Sequence, residues 1–401
     1  MYLLDGIVQH YTWGGYEFLP ELLGEKNLAQ QAFAEYWLGA HPKDSSIVRQ
    51  SNEKLIDFIA ADSSTILGKD VATKFGALPY LLKILDVRQM LSIQVHPTIE
   101  GAMEGFKEEE QRNIDVLAPE RNYRDKNHKP ELMVALSDFW LLHGFKDPVN
   151  MGMIFETTPE LQPLKSLFEE GGYRSLYEEV MTMQDRKVND ILGPLMERII
   201  PLYDQGELEK DEEDFWAARA AKSFCSDGNY DRGIFSIYFF NLVYLRKGEG
   251  VFQPPGLPHA YLEGRNIEVM ANSDNVLRAG LTSKHIDVPE LMKHVLFEAT
   301  IPNIITTGAT TEKIYRTAAE EFELHLVELG QGKEISESTT TGEIFLLLEG
   351  KALFTDEHQE IELQKGGALF VIAGTRLGIS SLEELSLVRV TVPKHSKNKE
   401  E

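Results

Sequence analysis

Cysteine is almost missing from this chain: Cys225 is the one thiol in 401 residues. That excludes an intrachain disulfide framework and fits a reducing, cytoplasmic setting. Basic residues are scarce too. Forty Lys and Arg stand against 64 Asp and Glu, a formal net charge of −24. Such a balance argues against a nucleic-acid partner, which needs a basic footprint, and against an anionic membrane surface. No apolar run is long enough to cross a bilayer. The opening MYLLDGIVQHYTWGG has neither the basic start nor the long apolar stretch of a secretory signal. What remains is a globular composition, 42% hydrophobic, with length for two or three domains. An acidic chain can still hold an anion where a few Arg and Lys converge, so basic residues inside motifs carry weight.

The patterning divides the chain. Strand signals dominate the first part. Between His10 and Pro42, Trp and Tyr beside Gly suggest strand and turn at a pocket edge, with Trp37 read as ordinary aromatic packing. Ile56 to Gly68 reads as a short helix, Tyr80 to Leu85 as a nearly continuous apolar strand, and Glu100 to Asn122 as polar helix. From about Pro148 to Gly228 the character turns helical. Val188, Ile191, Leu192, Leu195 and Ile199 follow the i, i+3, i+4, i+7 template, and Asp211 to Cys225 is a second helix. Strands are expected again over Ile234 to Arg246, a loop over Asp274 to Arg278, and a helix capped by Asp287-Val288-Pro289-Glu290. Beyond Thr311 short strands alternate with Gly-rich turns, as in a sandwich or barrel, before a charged tail from Lys394 that is read as disordered.

Three stretches carry the chemistry. In Gly248 to Lys284, the frame Pro254-x-Gly256-x-x-His259 is a tight turn that aims an imidazole. In Ser92 to Pro97, a period of two sets Ser92, Gln94 and His96 on one face and Ile93 and Val95 on the other. In His128-Lys129-Pro130-Glu131, proline keeps Lys129 extended and Glu131 opens a strand. Gln94, His96, Glu131 and His259 together offer two nitrogen and two oxygen donors. That set suits Zn²⁺ with one position open, Mn²⁺ and Fe²⁺ are compatible, and satisfied core histidines are the plain alternative. Lys83 stands inside an apolar strand, which requires a partner, a cavity or an edge to snorkel to. Gly366 to Leu377 repeats the frame of Gly248 to His259 with Ile372 for the proline and Leu377 for the histidine: a second copy of the turn without its ligand.

The strings SIQVHP, NHKPEL and PHAYLEG…IEVMANSDNVLRAGLT, with YTWGG and AEYWLGAHP, resemble the type I mannose-6-phosphate isomerase family, zinc enzymes of the cupin fold. Thr12 and Ser283 depart from the pattern, where Ala and Pro are usual. The resemblance implies reversible aldose–ketose isomerisation of a sugar phosphate, with one Zn²⁺ held by Gln94, His96, Glu131 and His259. It implies a pocket containing Lys83, His128, Lys129, Glu268, Asp274 and Arg278. Within it Arg278 is the candidate for the phosphate or for enediolate charge, with Lys83 as a second phosphate candidate. Lys129 is the candidate base, and Asp274, with His96 or His128, the candidate for ring opening. Ser92, Trp13 and Tyr261 join Lys83 and Glu268 as substrate-binding candidates. The architecture expected is mainly β with an α insertion: a metal-binding cupin unit over 1–147 and 229–310, a helical insertion over 148–228, and a cupin-like unit without metal ligands over 311–401. A monomer acting on a small molecule in the cytoplasm is expected. An Fe²⁺ cupin oxygenase and a non-catalytic sugar-phosphate binder are the alternatives.

Overall fold

The computed structural model describes residues 1–225, 228–308 and 310–394, so most of the charged tail lies outside the described residues. Antiparallel sheets form the frame, as the alternating patterns require. A ten-stranded sheet system carries the functional stretches, an eight-stranded sheet lies beside it, and a four-stranded sheet completes the C-terminal part. The helices Pro148–Thr157, Lys165–Thr182, Asp185–Gln205 and Glu213–Phe224 follow one another between the strands Phe139–Phe145 and Phe240–Leu245. Their apolar faces share one buried cluster with Ile93 and the strand residues Val95, Leu142 and Ala260. The helical layer therefore packs directly behind the strands that present the ligands.

The strand His259–Ala271 is the spine of the ten-stranded system. Its first residues pair with Phe139–Phe145 and, at His259, with Gln94. From Asn266 to Met270 it lies between Tyr80–Val87 and Glu131–Ala135. Changing partners midway needs a kink. The pairing slips between Tyr261 and Glu263, and Gly264 follows with φ of 133°. A Cβ there would meet the Phe139 ring at 2.5 Å, so glycine is required by space as well as by backbone.

Four local expectations change. Ile234 to Phe239 is helix, as part of Gly233–Phe239, and only Phe240–Leu245 is strand. Every residue of that helix is buried, so its apolar run shows no helical period to distinguish it from a buried strand. Ile56 to Gly68 is two helices, Leu55–Ala61 and Ser63–Leu67, broken where the Asp62 side chain accepts the Thr65 amide. The Glu100 helix runs Ile99–Gln111 and stops there, with Asn113 left-handed at φ 54°. The loop over Asp274 to Arg278 ends in a two-residue strand, Leu277–Arg278, paired with Gln94–Val95.

The internal repeat is structural. Gly248 and Gly256 have φ of 88° and 85°; their counterparts Gly366 and Gly374 have 81° and 80°. The strand Gly250–Gln253 corresponds to Ala368–Val371. Where His259 faces the pocket, Leu377 is buried in the C-terminal core. The two halves are tied by Tyr80, whose buried hydroxyl donates to the carbonyls of Gly342 and Val390 at 3.2 and 2.9 Å. The eight-stranded sheet also takes in Tyr2–Asp5, which pairs with Ala368–Val371. Among the described residues no helix is long and apolar enough to cross a membrane.

Candidate metal centre and active site

Glu131 begins its strand directly after Pro130, which denies the preceding residues a helix. Its carboxylate meets two imidazoles: Oε1 is 3.4 Å from His96 Nε2 and Oε2 is 3.2 Å from His259 Nε2. His96 Nδ1 bonds the Asn275 carbonyl at 2.8 Å, and His259 Nδ1 bonds the Leu257 carbonyl at 2.9 Å. Carbonyls only accept, so the Nδ1 atoms carry the protons and both Nε2 lone pairs point at the carboxylate. Burial pushes His96 down from 6.5 to about 4, so its ring is neutral. Burial alone would raise the Glu131 carboxyl, yet the Lys129 ammonium, with Nζ 3.0 Å from Oε1, holds it well below the usual range. Three electron-rich groups thus converge in a buried place with no proton between them, and His96 Nε2 has no hydrogen-bond partner. A cation answers that repulsion, and these three residues form a group able to hold a metal ion. Gln94 lines the same pocket, opposite His259 in the strand register. Two imidazoles, a carboxylate and an amide oxygen fit Zn²⁺ in donor type, and the Asn275 and Leu257 carbonyls behind the rings fix their orientation.

The pocket wall explains the lysine inside the strand. Lys83 Nζ is 2.9 Å from Glu268 Oε2 and 3.7 Å from Glu35 Oε2, and it lies over the Trp37 ring. Burial opposes its charge, but Glu268 and Glu35 hold the ammonium above its ordinary range. Tyr261 donates to Glu268 Oε1 at 2.8 Å, across the kink of the spine strand. Trp37 Nε1 donates to Glu35 at 2.5 Å, so Trp37 belongs to the pocket rather than to packing alone. Asp274, Lys129, Lys43 and Tyr11 complete the polar lining. Sequence reasoning missed Glu35 and Lys43, while Tyr11 stands at the pocket edge where the aromatic and Gly pattern put it. The signal for Glu35 was present: a carboxylate inside the wholly buried strand Glu35–Gly39.

Other candidates fall outside that lining. His128 Nε2 is engaged by Glu321 at 2.7 Å. Ser92 and Trp13 do not line the pocket, and Trp13 stacks on Tyr11 with centroids 5.9 Å apart. Arg278 is not in the lining either, but it pairs directly with Gln94. No carboxylate neutralises it among the described residues; burial and then the nearby Arg124 lower its pKa. Lys284 is lowered by burial, then by Arg278, Arg124 and Lys43. In a chain of net charge −24, Lys284 lies near Arg278, Arg124 and Lys43, a gathering of cations suited to an anion.

A further buried imidazole, His143, lies opposite His259 in the strand register. His143 donates from Nε2 to the Phe252 carbonyl at 3.2 Å, and its Nδ1 is without a partner. Burial pushes it down from 6.5 to about 4. The unfolded chain therefore takes the proton first as the pH falls. Stability present above pH 6.5 is lost on the way to pH 4, by up to roughly 3 kcal/mol. Urea unfolding of metal-free protein at pH 7 and pH 4 checks this. The loss is expected to shrink by that amount in His143→Gln, and an equal loss in both proteins would refute it.

The sequence profile of the phosphomannose isomerase type I catalytic domain matches residues 1–148. The mannose-6-phosphate isomerase of Shigella flexneri is 36% identical over 384 residues, 93% of this chain and 95% of that one. The chain belongs to the type I mannose-6-phosphate isomerase family. The Escherichia coli K12 member of that name is likewise 36% identical, over 93% of this chain and 95% of its own length. A crystal structure of mannose 6-phosphate isomerase bound with zinc and yttrium superposes with a TM-score of 0.88 at 33% identity, covering 98% of this chain and 100% of that one. Family membership therefore spans the helical and C-terminal regions, where the motifs themselves were silent.

Proposed function

We propose that the chain is a zinc-dependent isomerase that interconverts mannose 6-phosphate and fructose 6-phosphate. The observation that carries this reading is the adjacency of two complementary groups. His96, Glu131 and His259 offer donors for a cation, Arg278, Arg124 and Lys284 offer charge for an anion, and the Gln94–Arg278 register pair joins them. A metal-assisted reaction on a phosphorylated molecule uses both. The relatives' names supply the sugar.

Zinc held by Gln94, His96, Glu131 and His259 would supply a Lewis acid for substrate oxygens. The remaining work falls to side chains. Arg278 binds the phosphate, because Lys83, the other phosphate candidate, is committed to Glu268 and Glu35. Asp274, at the pocket rim 3.9 Å from His41, assists ring opening, since the His128 imidazole is engaged by Glu321. Lys129 moves the proton between the two sugar carbons and is returned to its resting place by Glu131. The polar wall disfavours an oxygenase, which would present an apolar pocket to its substrate.

A coupled assay for fructose 6-phosphate formed from mannose 6-phosphate tests the reading. Protein is assayed as isolated, after chelation, and after zinc is restored. Turnover is expected to vanish with chelation and return with zinc, and Lys129→Ala is expected to lose about 100-fold or more in kcat with zinc retained. No turnover in folded, zinc-loaded protein would sink the substrate assignment. Full turnover by Lys129→Ala would remove lysine as the base.

A further inference from the structure

The backbone just after Arg278 makes a turn that few sequences tolerate. Gly280 has φ of 123°, and Leu281, a buried non-glycine residue, has φ of 52°. Left-handed backbone at a residue with a branched side chain persists only where its surroundings hold it there. Gly280 also packs main chain to main chain against Gly233. A Cβ on Gly280 would lie 2.4 Å from Gly233 Cα, and one on Gly233 would lie 2.6 Å from the Leu281 nitrogen. Two glycines are thus required for an approach that brings the end of the helical region onto the arginine loop.

What holds the turn is one carboxylate. Asp231 Oδ1 accepts from the Gly233 and Leu281 amides at 2.7 and 2.8 Å, and Oδ2 accepts from the Thr282 amide at 3.2 Å. On the other side, Ile93 exchanges two backbone bonds with the loop: Ala279 N–H to Ile93 O at 2.9 Å, and Ile93 N–H to Gly280 O at 3.0 Å. The Thr282 hydroxyl then accepts the Lys284 amide at 3.1 Å. Arg278 and Lys284 therefore flank a turn fixed from both sides, and the Asp231 carboxylate is its polar anchor.

We infer that Asp231 is a positioning residue for anion recognition: it holds the Gly280–Thr282 turn so that Arg278 and Lys284 present their charges to one phosphate. This rests on the sugar-phosphate reading. Asp231 touches no ligand itself. Its effect passes through three amide bonds, which is why nothing near it in sequence resembles a binding motif. Replacing it by Asn keeps the shape but leaves one oxygen to serve amides that now share two, and turns an N–H donor toward the Thr282 amide.

The test compares wild type with Asp231→Asn in three measurements: inorganic phosphate binding by calorimetry, zinc content, and steady-state kinetics with mannose 6-phosphate. Phosphate affinity is expected to fall about tenfold and KM to rise by the same factor, with kcat within about twofold and one zinc per chain retained. A purely structural role would lower zinc content and kcat together instead. Unchanged phosphate affinity, or a wild type that binds no phosphate, overturns the inference. If wild type binds phosphate without isomerising the sugar, the functional reading fails while the positioning role is still decided by the calorimetry. Should Asp231→Asn not fold, Asp231→Glu serves: it keeps the charge but displaces it, and wild-type phosphate affinity in that variant overturns the inference as well.

Discussion

Glu131→Ala is expected to yield a folded protein that holds no zinc and turns over no substrate. The carboxylate is the only anionic member of the ligand group, and both imidazoles point their lone pairs at it. Losing the charge-neutralising ligand of a divalent cation costs on the order of 4 kcal/mol, which at about 1.4 kcal/mol per tenfold is roughly 1,000-fold in affinity. A second consequence separates this variant from simple chelation. Lys129 loses the carboxylate 3.0 Å away, and its buried ammonium is left without that partner. Metal analysis after dialysis against a buffered zinc concentration reads the first effect, and coupled turnover reads the second. Retention of one zinc per chain at nanomolar free metal would mean that the centre lies elsewhere.

The other large effect is expected at Lys83. Its side chain is 8% exposed and is shared by Glu268 and Glu35. Lys83→Met fills the same space but leaves two carboxylates facing each other across a buried wall. Breaking a buried pair from one side costs about 3–5 kcal/mol, whereas removing both partners costs far less. Urea unfolding at pH 7 is expected to show that loss. Lys83→Met combined with Glu268→Gln is expected to recover a substantial part of it. A loss below about 1 kcal/mol in the single variant would show that solvent reaches the pair and screens it. The same variant bears on chemistry, because Tyr261 takes its orientation from Glu268.

His96, Glu131 and His259, the group able to hold a metal, were visible as candidates because local rules place them, and the family resemblance made them a ligand set. Pro130 makes Glu131 a strand start, and the Pro254–Gly256 frame makes His259 the first residue after a turn. Lys83 was legible as an anomaly, a charge in an apolar strand, though not as a residue bound to two carboxylates. Glu35 carried the same anomaly and was overlooked beside the aromatic residues that follow it. The helix over Gly233–Phe239 could not be read, because burial on every side removes the periodicity that separates helix from strand. Asp231 was illegible for another reason. Two of its three amide partners lie some fifty residues away, and a carboxylate that caps distant amides leaves no spacing to detect. The misplacement of His128 is of the same kind: its neighbour Lys129 lines the pocket, while His128 turns toward Glu321 on a distant segment.

The pairing of Tyr2–Asp5 with Ala368–Val371 has a consequence for how the protein comes to exist. A ribosome releases the first strand hundreds of residues before its neighbour is made. Until then Tyr2, Leu3 and Leu4 belong to an unfinished edge, next to Ile47–Val48, which pairs with the same strand from its other side. The eight-stranded sheet can close only after synthesis has passed Leu385–Thr391, so its completion comes late and carries a large loop-closure entropy. The pocket strands between Tyr80 and Arg278 are not subject to that delay. Vectorial synthesis lets the reactive half assemble first and the sheet that braces it through Tyr80 lock last, which places the window for aggregation and chaperone engagement late in biogenesis.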